Sequence, residues 1–152
     1  MPTSHQSVLG RLAKALNDRN YDDFEAVLTD DYVEEYPQSG EVIRGRKNVR
    51  AVREYYPGGF TEDSVQLSAP RIAAPEARWV RTPAFTFVRA EGTGNTGTAT
   101  FKARYPDGSI WWVVSVYELR GDQLARSTLY FAPVFEAPEW RRPYADSKSA
   151  RT

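Results

Sequence analysis

The sequence contains no cysteine and a single histidine, His5. Without cysteine the chain has no disulfide, no thiolate metal ligand and no cysteine nucleophile. A zinc site, a histidine-based triad or a histidine proton shuttle would have to rely on His5 alone, and its place near the end of the chain predicts a frayed position. We therefore expect neither a metal site nor a cofactor.

Net charge is also missing, because lysine plus arginine and aspartate plus glutamate number 20 each. A chain without a net positive field does little to attract nucleic acid or an acidic membrane surface. No stretch approaches the roughly 20 apolar residues that span a bilayer, and the first residues lack the basic and apolar regions of a signal peptide. We expect a cytoplasmic protein that has no nucleic-acid or membrane partner.

What is present suits one globular domain. Apolar residues make up 41% and charged residues 26% of the 152 positions, which are ordinary proportions, and this length can bury its own core. Aromatic residues reach 13%, with nine tyrosines. This is the one feature of the composition that favours ligand binding, although most aromatic side chains are expected in the core.

The first third of the chain predicts helices. Apolar residues recur at helical spacing over residues 7–19, a shorter helix with an acidic first turn opens at Asn20, and a third helix spans residues 46–56. Between the second and third helices, residues 32–36 have the composition of a strand, which Pro37 ends.

The remaining sequence predicts antiparallel strands. The candidates are residues 64–73, 78–91, 96–105, 109–120 and 123–132. Short links rich in glycine, asparagine and aspartate join the later ones, as in β-hairpins. Strands that follow helices in this way indicate an α+β domain with the helices on one face of the sheet. We assign residues 1–140 to this domain and 141–152 to a flexible tail.

Residues 110–117 are apolar at both alternating sets of positions, which is typical of a strand buried on both faces. One face would meet the helices, and the other needs a cover. A second copy of the protein would supply it, which predicts a homodimer. The alternative cover is the C-terminal segment 131–140.

Three stretches carry a family resemblance. Residues 30–37 read Asp-Asp-Tyr-Val-Glu-Glu-Tyr-Pro, residues 43–49 read Ile-Arg-Gly-Arg-Lys-Asn-Val, and residues 119–126 read Leu-Arg-Gly-Asp-Gln-Leu-Ala-Arg. In this order the chain resembles the SnoaL-like branch of the nuclear transport factor 2-like superfamily. The resemblance implies a cone-shaped barrel, in which a curved and mostly antiparallel sheet wraps on N-terminal helices and opens on a ligand pocket. It also implies a dimer through the convex sheet face.

Members of that superfamily include polyketide cyclases, ketosteroid isomerases, epoxide hydrolases and dehydratases, so the fold does not settle the function. The residues that the isomerases use as base, oxyanion-hole acid and helical tyrosine correspond here to Tyr36, Ser115 and Leu12. The cyclases and limonene-type epoxide hydrolases rely on acidic residues in later strands. Residues 123–135 contain no acidic residue. The resemblance thus argues against ketosteroid isomerase activity and leaves the usual cyclase base missing.

Alternation along a strand indicates which side chains face the pocket. If Tyr36 points inward, Glu34 and Tyr32 do too, while Glu35 points outward. The same alternation in the later strands, together with two tyrosines of the third helix, predicts the substrate-binding residues Tyr32, Tyr55, Tyr56, Trp111, Val113, Tyr117, Ser127, Leu129 and Phe131. The alternative for the tyrosines is that they fill the core.

Glu34 is the strongest catalytic candidate. A carboxylate surrounded by aromatic side chains loses hydration, which raises its pKa toward the range useful for a general acid or base. Tyr36 and Ser115 would polarise a carbonyl beside it. The alternative for Glu34 is a structural ion pair with Arg50 or Arg53 of the third helix.

These residues predict a protein with a pocket for a small apolar or aromatic molecule. One hypothesis is a cofactor-independent cyclase, isomerase or dehydratase that acts by proton transfer on an apolar oxygenated metabolite. A second is a binding protein without catalysis, and a third is a protein-interaction module of the same fold. An unpaired Glu34 near a tyrosine hydroxyl would favour the first, and a Glu34 paired with arginine the second.

Overall fold

The computed structural model describes residues 5–57, 80–81 and 85–146 of the chain. The helices in these ranges are α1 (His5–Asn17), α2 (Tyr21–Val27), α3 (Arg46–Glu54) and a 3₁₀ helix (Glu139–Tyr144). The strands are β1 (Leu28–Tyr36), β2 (Glu41–Arg44), β3 (Val80–Arg81), β4 (Phe85–Thr93), β5 (Thr96–Arg104), β6 (Ile110–Arg120) and β7 (Gln123–Pro133).

The strands form one sheet in the order β2-β1-β7-β6-β5-β4-β3. Only the β1–β7 pair is parallel among the pairs described, and the others are antiparallel. Val8 and Leu9 of α1, Phe24 of α2 and Val49 of α3 are buried in one core with the inner side chains of the sheet. The α+β architecture expected from the sequence, a curved and mostly antiparallel sheet on N-terminal helices, is confirmed.

Local sequence signals explain most element boundaries. Asn20 caps α2, since its side-chain oxygen accepts a hydrogen bond from the backbone N–H of Asp23 at 3.0 Å. Gly94 and Gly121 adopt positive φ angles of 65° and 64° in the hairpin turns before β5 and β7, a conformation that side chains with Cβ rarely take. These turns fix the register of the meander.

Some boundaries differ from the sequence expectations. β1 begins four residues earlier than expected, at Leu28, because its first half pairs with β7 near Leu124. The short strand β2 was not foreseen, and the strand expected over residues 78–91 is divided between β3 and β4. The strand expected over residues 64–73 lies outside the described residues.

The outer face of β6 corrects one expectation. Burial alternates along the strand, and Val114 and Val116 on the outer face are 38% and 48% exposed. Within one chain the helices cover only the inner face, so burial of both faces of β6 would need the second copy that the sequence analysis predicts, and that cover stays a prediction. The C-terminal segment does not supply the second cover either, since Phe135 and Trp140 are themselves 71% and 73% exposed.

The end of the chain departs from the sheet after Pro133. Its 3₁₀ helix has no buried residue, and the flexible tail expected over residues 141–152 stays a prediction. Among the described residues, none of the helices combines the length and the apolar character that crossing a bilayer requires.

The homodimer stays a prediction, and the exposed valines of β6 give its test. Val114→Glu places a charge in the centre of the outer face, where a dimer interface would have to bury it without a partner. We expect the wild-type chain to sediment as a dimer at micromolar concentration and the variant as a folded monomer. Val42→Glu, at the far edge of the sheet and 46% exposed, is the control that keeps the dimer. A wild-type chain that sediments as a monomer would contradict the prediction.

Candidate functional site

A cavity of about 190 Å³ lies between the helices and the inner face of the sheet. The helices contribute Leu9, Leu12, Leu16, Phe24, Val52 and Arg53 to its wall, and Tyr56 joins them two residues after the end of α3. The sheet contributes Leu28, Tyr32, Glu34, Tyr36, Phe101, Val113, Ser115, Leu124, Ser127, Leu129 and Phe131, and Tyr105 lies directly after β5. Most of this surface is hydrocarbon or aromatic, so the few polar groups determine which ligand it can hold.

Glu34 is the most constrained polar group of the wall. Its side chain is 3% exposed and forms a bidentate ion pair with Arg53, whose Nη1 and Nη2 donate to Oε2 and Oε1 at 2.7 and 2.9 Å. The hydroxyls of Tyr36 and Tyr32 also donate to these two oxygens, at 2.5 and 3.1 Å. A carboxylate has about four lone-pair positions, so these four donors satisfy it fully.

The surroundings of the two tyrosines that donate to Glu34 raise their pKa values. Burial raises the pKa of Tyr32 well above its ordinary value, and the nearby charge of Glu34 adds to it. Burial likewise raises the pKa of Tyr36, although the positive charge of Arg53 opposes the shift. Ser127 lies opposite Glu34 in the β1–β7 pairing, and its hydroxyl acts in the opposite sense, to lower the pKa of Tyr32. Both phenols therefore stay protonated at neutral pH.

Arg53 supplies the positive charge of this cluster. Burial is the largest single effect and acts to lower its pKa, but the charge and hydrogen bonds of Glu34, together with Tyr36 and Tyr32, outweigh burial, so the pKa lies above its ordinary value. Its guanidinium also lies over the ring of Phe24, 5.6 Å from the centroid. The alternative stated from the sequence, an ion pair between Glu34 and α3, is what the structure contains. Arg50 instead bonds Asp22, Glu25 and Glu54 on the outside of the helices.

Ser115 is the polar group of the opposite wall. It is 4% exposed, lies on the inner face of β6 and contributes to the cavity. Among the described residues, no side-chain hydrogen bond connects its hydroxyl to another residue.

Aromatic rings surround the end of the cavity near α3. The ring of Tyr56 lies 5.7 Å from that of Tyr105, and Trp111 meets the other side of Tyr105 edge-on at 6.0 Å. Tyr36 makes an edge-to-face contact with Phe131 at 5.2 Å. Such contacts hold the rings in fixed orientations.

The structure brings nine of the predicted site residues into the cavity wall: Tyr32, Glu34, Tyr36, Tyr56, Val113, Ser115, Ser127, Leu129 and Phe131. Their roles in binding or catalysis stay predictions. Strand alternation located the eight of them that lie in the sheet, because the register pairs Glu34 with Ser127 and Ser115 with Leu129.

Three predicted residues lie elsewhere. Tyr55 follows the last turn of α3 and is 77% exposed. Trp111 stands behind Tyr105, and its indole N–H donates to Ser109 at 3.0 Å. Tyr117 is buried on the inner face but lies beyond the cavity, where its hydroxyl meets His5. Alternation predicts which face of a strand a side chain occupies, but not how far along the strand the cavity extends. This explains why Trp111 and Tyr117 lie outside the cavity wall.

His5 also differs from expectation, since it is not frayed. Its Nδ1 lies 2.7 Å from the hydroxyl of Tyr117 and its Nε2 3.0 Å from the carbonyl oxygen of Gly94. The imidazole thus ties the start of α1 to β6 and to the turn before β5. In the ranges that the structure describes, no three histidine or acidic side chains gather closely enough to hold a metal ion.

Sequence reasoning predicted Tyr56 but missed most of the helical side of the cavity. Leu12 and Leu16 belong to the apolar stripe of α1, which by itself indicates a core-facing helix and not a cavity wall. Val52 and Tyr105 carried no distinguishing signal in the sequence. Their positions follow from how α3 and the end of β5 meet, which no local pattern encodes.

The match to a known family agrees with this geometry. The SnoaL-like domain family matches residues 9–127. The chain belongs to the SnoaL-like family. No curated protein matches the sequence.

Solved structures share the fold over nearly the whole SnoaL-like chain. An NTF-2 like protein of unknown function from Burkholderia xenovorans LB400 is 27% identical, with a TM-score of 0.70 over 95% of this chain and 94% of that one. A candidate ketosteroid isomerase from Kribbella flavida DSM 17836 is 20% identical, with a TM-score of 0.68 over 95% and 90%. An LEH-like epoxide hydrolase of M. tuberculosis is 16% identical, with a TM-score of 0.54 over 82% and 79%.

The bidentate pair predicts a large stability difference between two arginines of α3. Arg53→Met leaves the carboxylate of Glu34 buried without its counter-charge, which costs about 3–5 kcal/mol of unfolding free energy. Arg50→Met is the matched control on the same helix and should cost much less, because its partners are more exposed. Urea denaturation of both variants measures the difference, and equal losses would contradict the assigned role of Arg53.

The Glu34→Gln/Arg53→Met double variant extends this test. It removes both charges, so we expect it to be more stable than Arg53→Met alone. If the double variant is the less stable of the two, the cost of Arg53→Met does not come from an unpaired carboxylate.

The raised pKa of Tyr117 predicts how the folding stability of the protein changes at alkaline pH. Burial raises its pKa to about 12 from the ordinary value of 10.0. Between these values the unfolded chain binds fewer protons than the folded one, so stability falls as the pH rises from about 10 to about 12. Tyr117→Phe should reduce this fall, measured by urea denaturation at about pH 9 and about pH 11. Tyr144→Phe, 87% exposed, should leave it unchanged, and an identical fall in Tyr117→Phe would refute the explanation.

Proposed function

We propose that this SnoaL-like protein binds a small, uncharged, largely apolar molecule that carries oxygen, and that it does so without reacting with it. The observation that supports this is the complete neutralisation of Glu34 by Arg53 inside an otherwise apolar cavity. The two charges cancel within one bidentate contact, so neither is left over for an ionic ligand.

The same contact argues against proton transfer by Glu34. A general base needs a free lone pair directed at the substrate, and four donors already occupy the carboxylate. Tyr32 and Tyr36 point their protons at Glu34 and so have none to offer a substrate carbonyl. The roles in catalysis considered for Glu34 and Tyr36 therefore have less support than binding.

The size of the cavity limits the ligand. An apolar cavity of about 150 Å³ is large enough for benzene, and the cavity here measures about 190 Å³. It suits one substituted aromatic ring or a compact bicyclic molecule. A filled interior would have favoured an interaction module instead, and this interior is hollow.

Filling the cavity tests the proposal. Leu12→Trp replaces a cavity-lining side chain of α1 with a larger one, so binding of 1-naphthol, an uncharged bicyclic probe, should be lost. Isothermal titration calorimetry measures the affinity and should give a negative heat-capacity change with the wild type, because apolar surface is buried. Mass spectrometry of solvent extracts should also identify an uncharged compound that co-purifies with the wild type but not with the variant.

Lys14→Trp is the matched control, since it adds the same side chain to the same helix at a position on the exposed side. It should bind 1-naphthol as the wild type does. Equal binding by Leu12→Trp would show that the probe sits elsewhere, and a wild type that binds nothing would contradict the proposal.

A further inference from the structure

After β7 the chain leaves the sheet as residues 134–144, which we call the C-terminal arm. The first residue of the arm donates a backbone hydrogen bond to Ile110 of β6 at 3.1 Å. Beyond it, Phe135, Trp140 and Tyr144 are 71% to 87% exposed, and the 3₁₀ helix that carries the last two has no buried residue. So short a helix depends on packing for its stability. The arm therefore presents apolar side chains that its own chain does not cover.

The outer face of the sheet presents a second exposed apolar surface. Val114 and Val116 of β6 lie beside Tyr130 of β7, which is the register partner of Val114, and all three are exposed. Glu118 and Arg126 are register partners on the same strands and form a charged edge of this patch. An exposed apolar patch with a polar rim is typical of a protein–protein contact. Within one chain the arm does not cover the patch, because the side chains of both remain exposed.

The edges of these two surfaces carry complementary charges. Arg126 is ion-paired with Glu35 and not with Glu118, and among the described residues Glu118 has no ion-pair partner. Arg142 lies in the 3₁₀ helix of the arm and likewise has no ion-pair partner in the part of the chain that the structure describes. The patch thus offers a carboxylate and the arm a guanidinium, which favours contact between them.

We propose that the C-terminal arm of each copy packs on the outer sheet face of a second copy, so that two arms are exchanged in a two-fold dimer. Both surfaces belong to the same chain, so a reciprocal contact between two copies covers all of them and closes the assembly. This inference goes beyond the proposed ligand binding and assigns a contact to the homodimer that the sequence predicts.

The available area is sufficient for such a dimer. An aromatic side chain buries about 150–250 Å², so the exposed aromatic side chains of two arms supply about 1,000 Å². Together with the sheet surface that they cover, the interface reaches about 2,000 Å², whereas stable protein–protein interfaces need about 1,200–2,000 Å².

Two complementary variants test the exchange, because each contact joins the arm of one copy to the face of another. Val114→Glu alters the face and leaves the arm intact. Trp140→Ser/Tyr144→Ser removes two aromatic side chains from the arm and leaves the face intact. All three positions are exposed, so both variants should keep the wild-type circular dichroism spectrum. Sedimentation with one fluorescently labelled variant measures the dissociation constants of homodimers and heterodimers.

A buried aromatic anchor contributes roughly 30-fold to affinity. A homodimer of either variant loses both contacts and should be weakened about 1,000-fold, whereas the heterodimer in an equimolar mixture keeps one contact and should be weakened only about 30-fold. Mixing the two monomeric variants should therefore restore a dimer. Tyr55→Ser is the matched control, since it removes an aromatic side chain that is 77% exposed at the end of α3, and it should dimerise as the wild type does.

The outcomes that would overturn the exchange are distinct. If the arm variant dimerises as tightly as the wild type, the sheet faces meet without the arms. If both variants are monomeric and their mixture is no tighter, the arm of one copy does not contact the face of the other. If Tyr55→Ser weakens the dimer as much as the arm variant does, the loss is not specific to the arm. A monomeric wild type would overturn both the exchange and the homodimer, while ligand binding is measured separately.

Discussion

The ion pair between Glu34 and Arg53 joins β1 to α3 inside the wall of the cavity, and much of the rest of the structure depends on it. A lone carboxylate would not remain in this apolar interior, because the loss of hydration is too costly. Arg53 makes the burial of Glu34 possible, and Glu34 does the same for Arg53. The geometry of the pair thus holds the third helix against the sheet at a fixed distance.

Hydrogen-bond direction in the cavity follows from the same pair. Because Glu34 accepts four bonds, it orients Tyr32 and Tyr36 towards itself. Two tyrosines and a glutamate suggest from their chemistry a site for proton transfer, yet together with Arg53 they form a neutral, internally satisfied cluster. Ser115 lies two strands away from Glu34, across β7, and escapes this cluster, so the two sides of the cavity differ in what they offer a ligand.

Local periodicity in the sequence predicted which strand side chains face the cavity, and no more of the site than that. Strand alternation is a property of the backbone, so the side of the sheet occupied by Glu34, Ser115 and Ser127 could be predicted without the structure. The choice between Arg50 and Arg53 could not, because both positions are compatible with a helix beside β1 and only the packing angle separates them. Tyr117 lies on the inner face as well, but too far along β6 to reach the cavity. Depth along a strand depends on how the helices cover the sheet, which is a tertiary property.

Ligand entry is constrained by the element that carries Arg53. α3 also contributes Val52 to the cavity wall, and Tyr56 follows two residues after its end, so moving this helix outward would open the cavity widely. That movement would also separate Arg53 from Glu34 and expose an unpaired charge to an apolar surrounding, at a cost of several kcal/mol. The rings of Tyr56 and Tyr105 at this end of the cavity are partly exposed and contact each other. Entry of the proposed ligand without an outward movement of α3 would leave the ion pair intact and the cavity in its present shape.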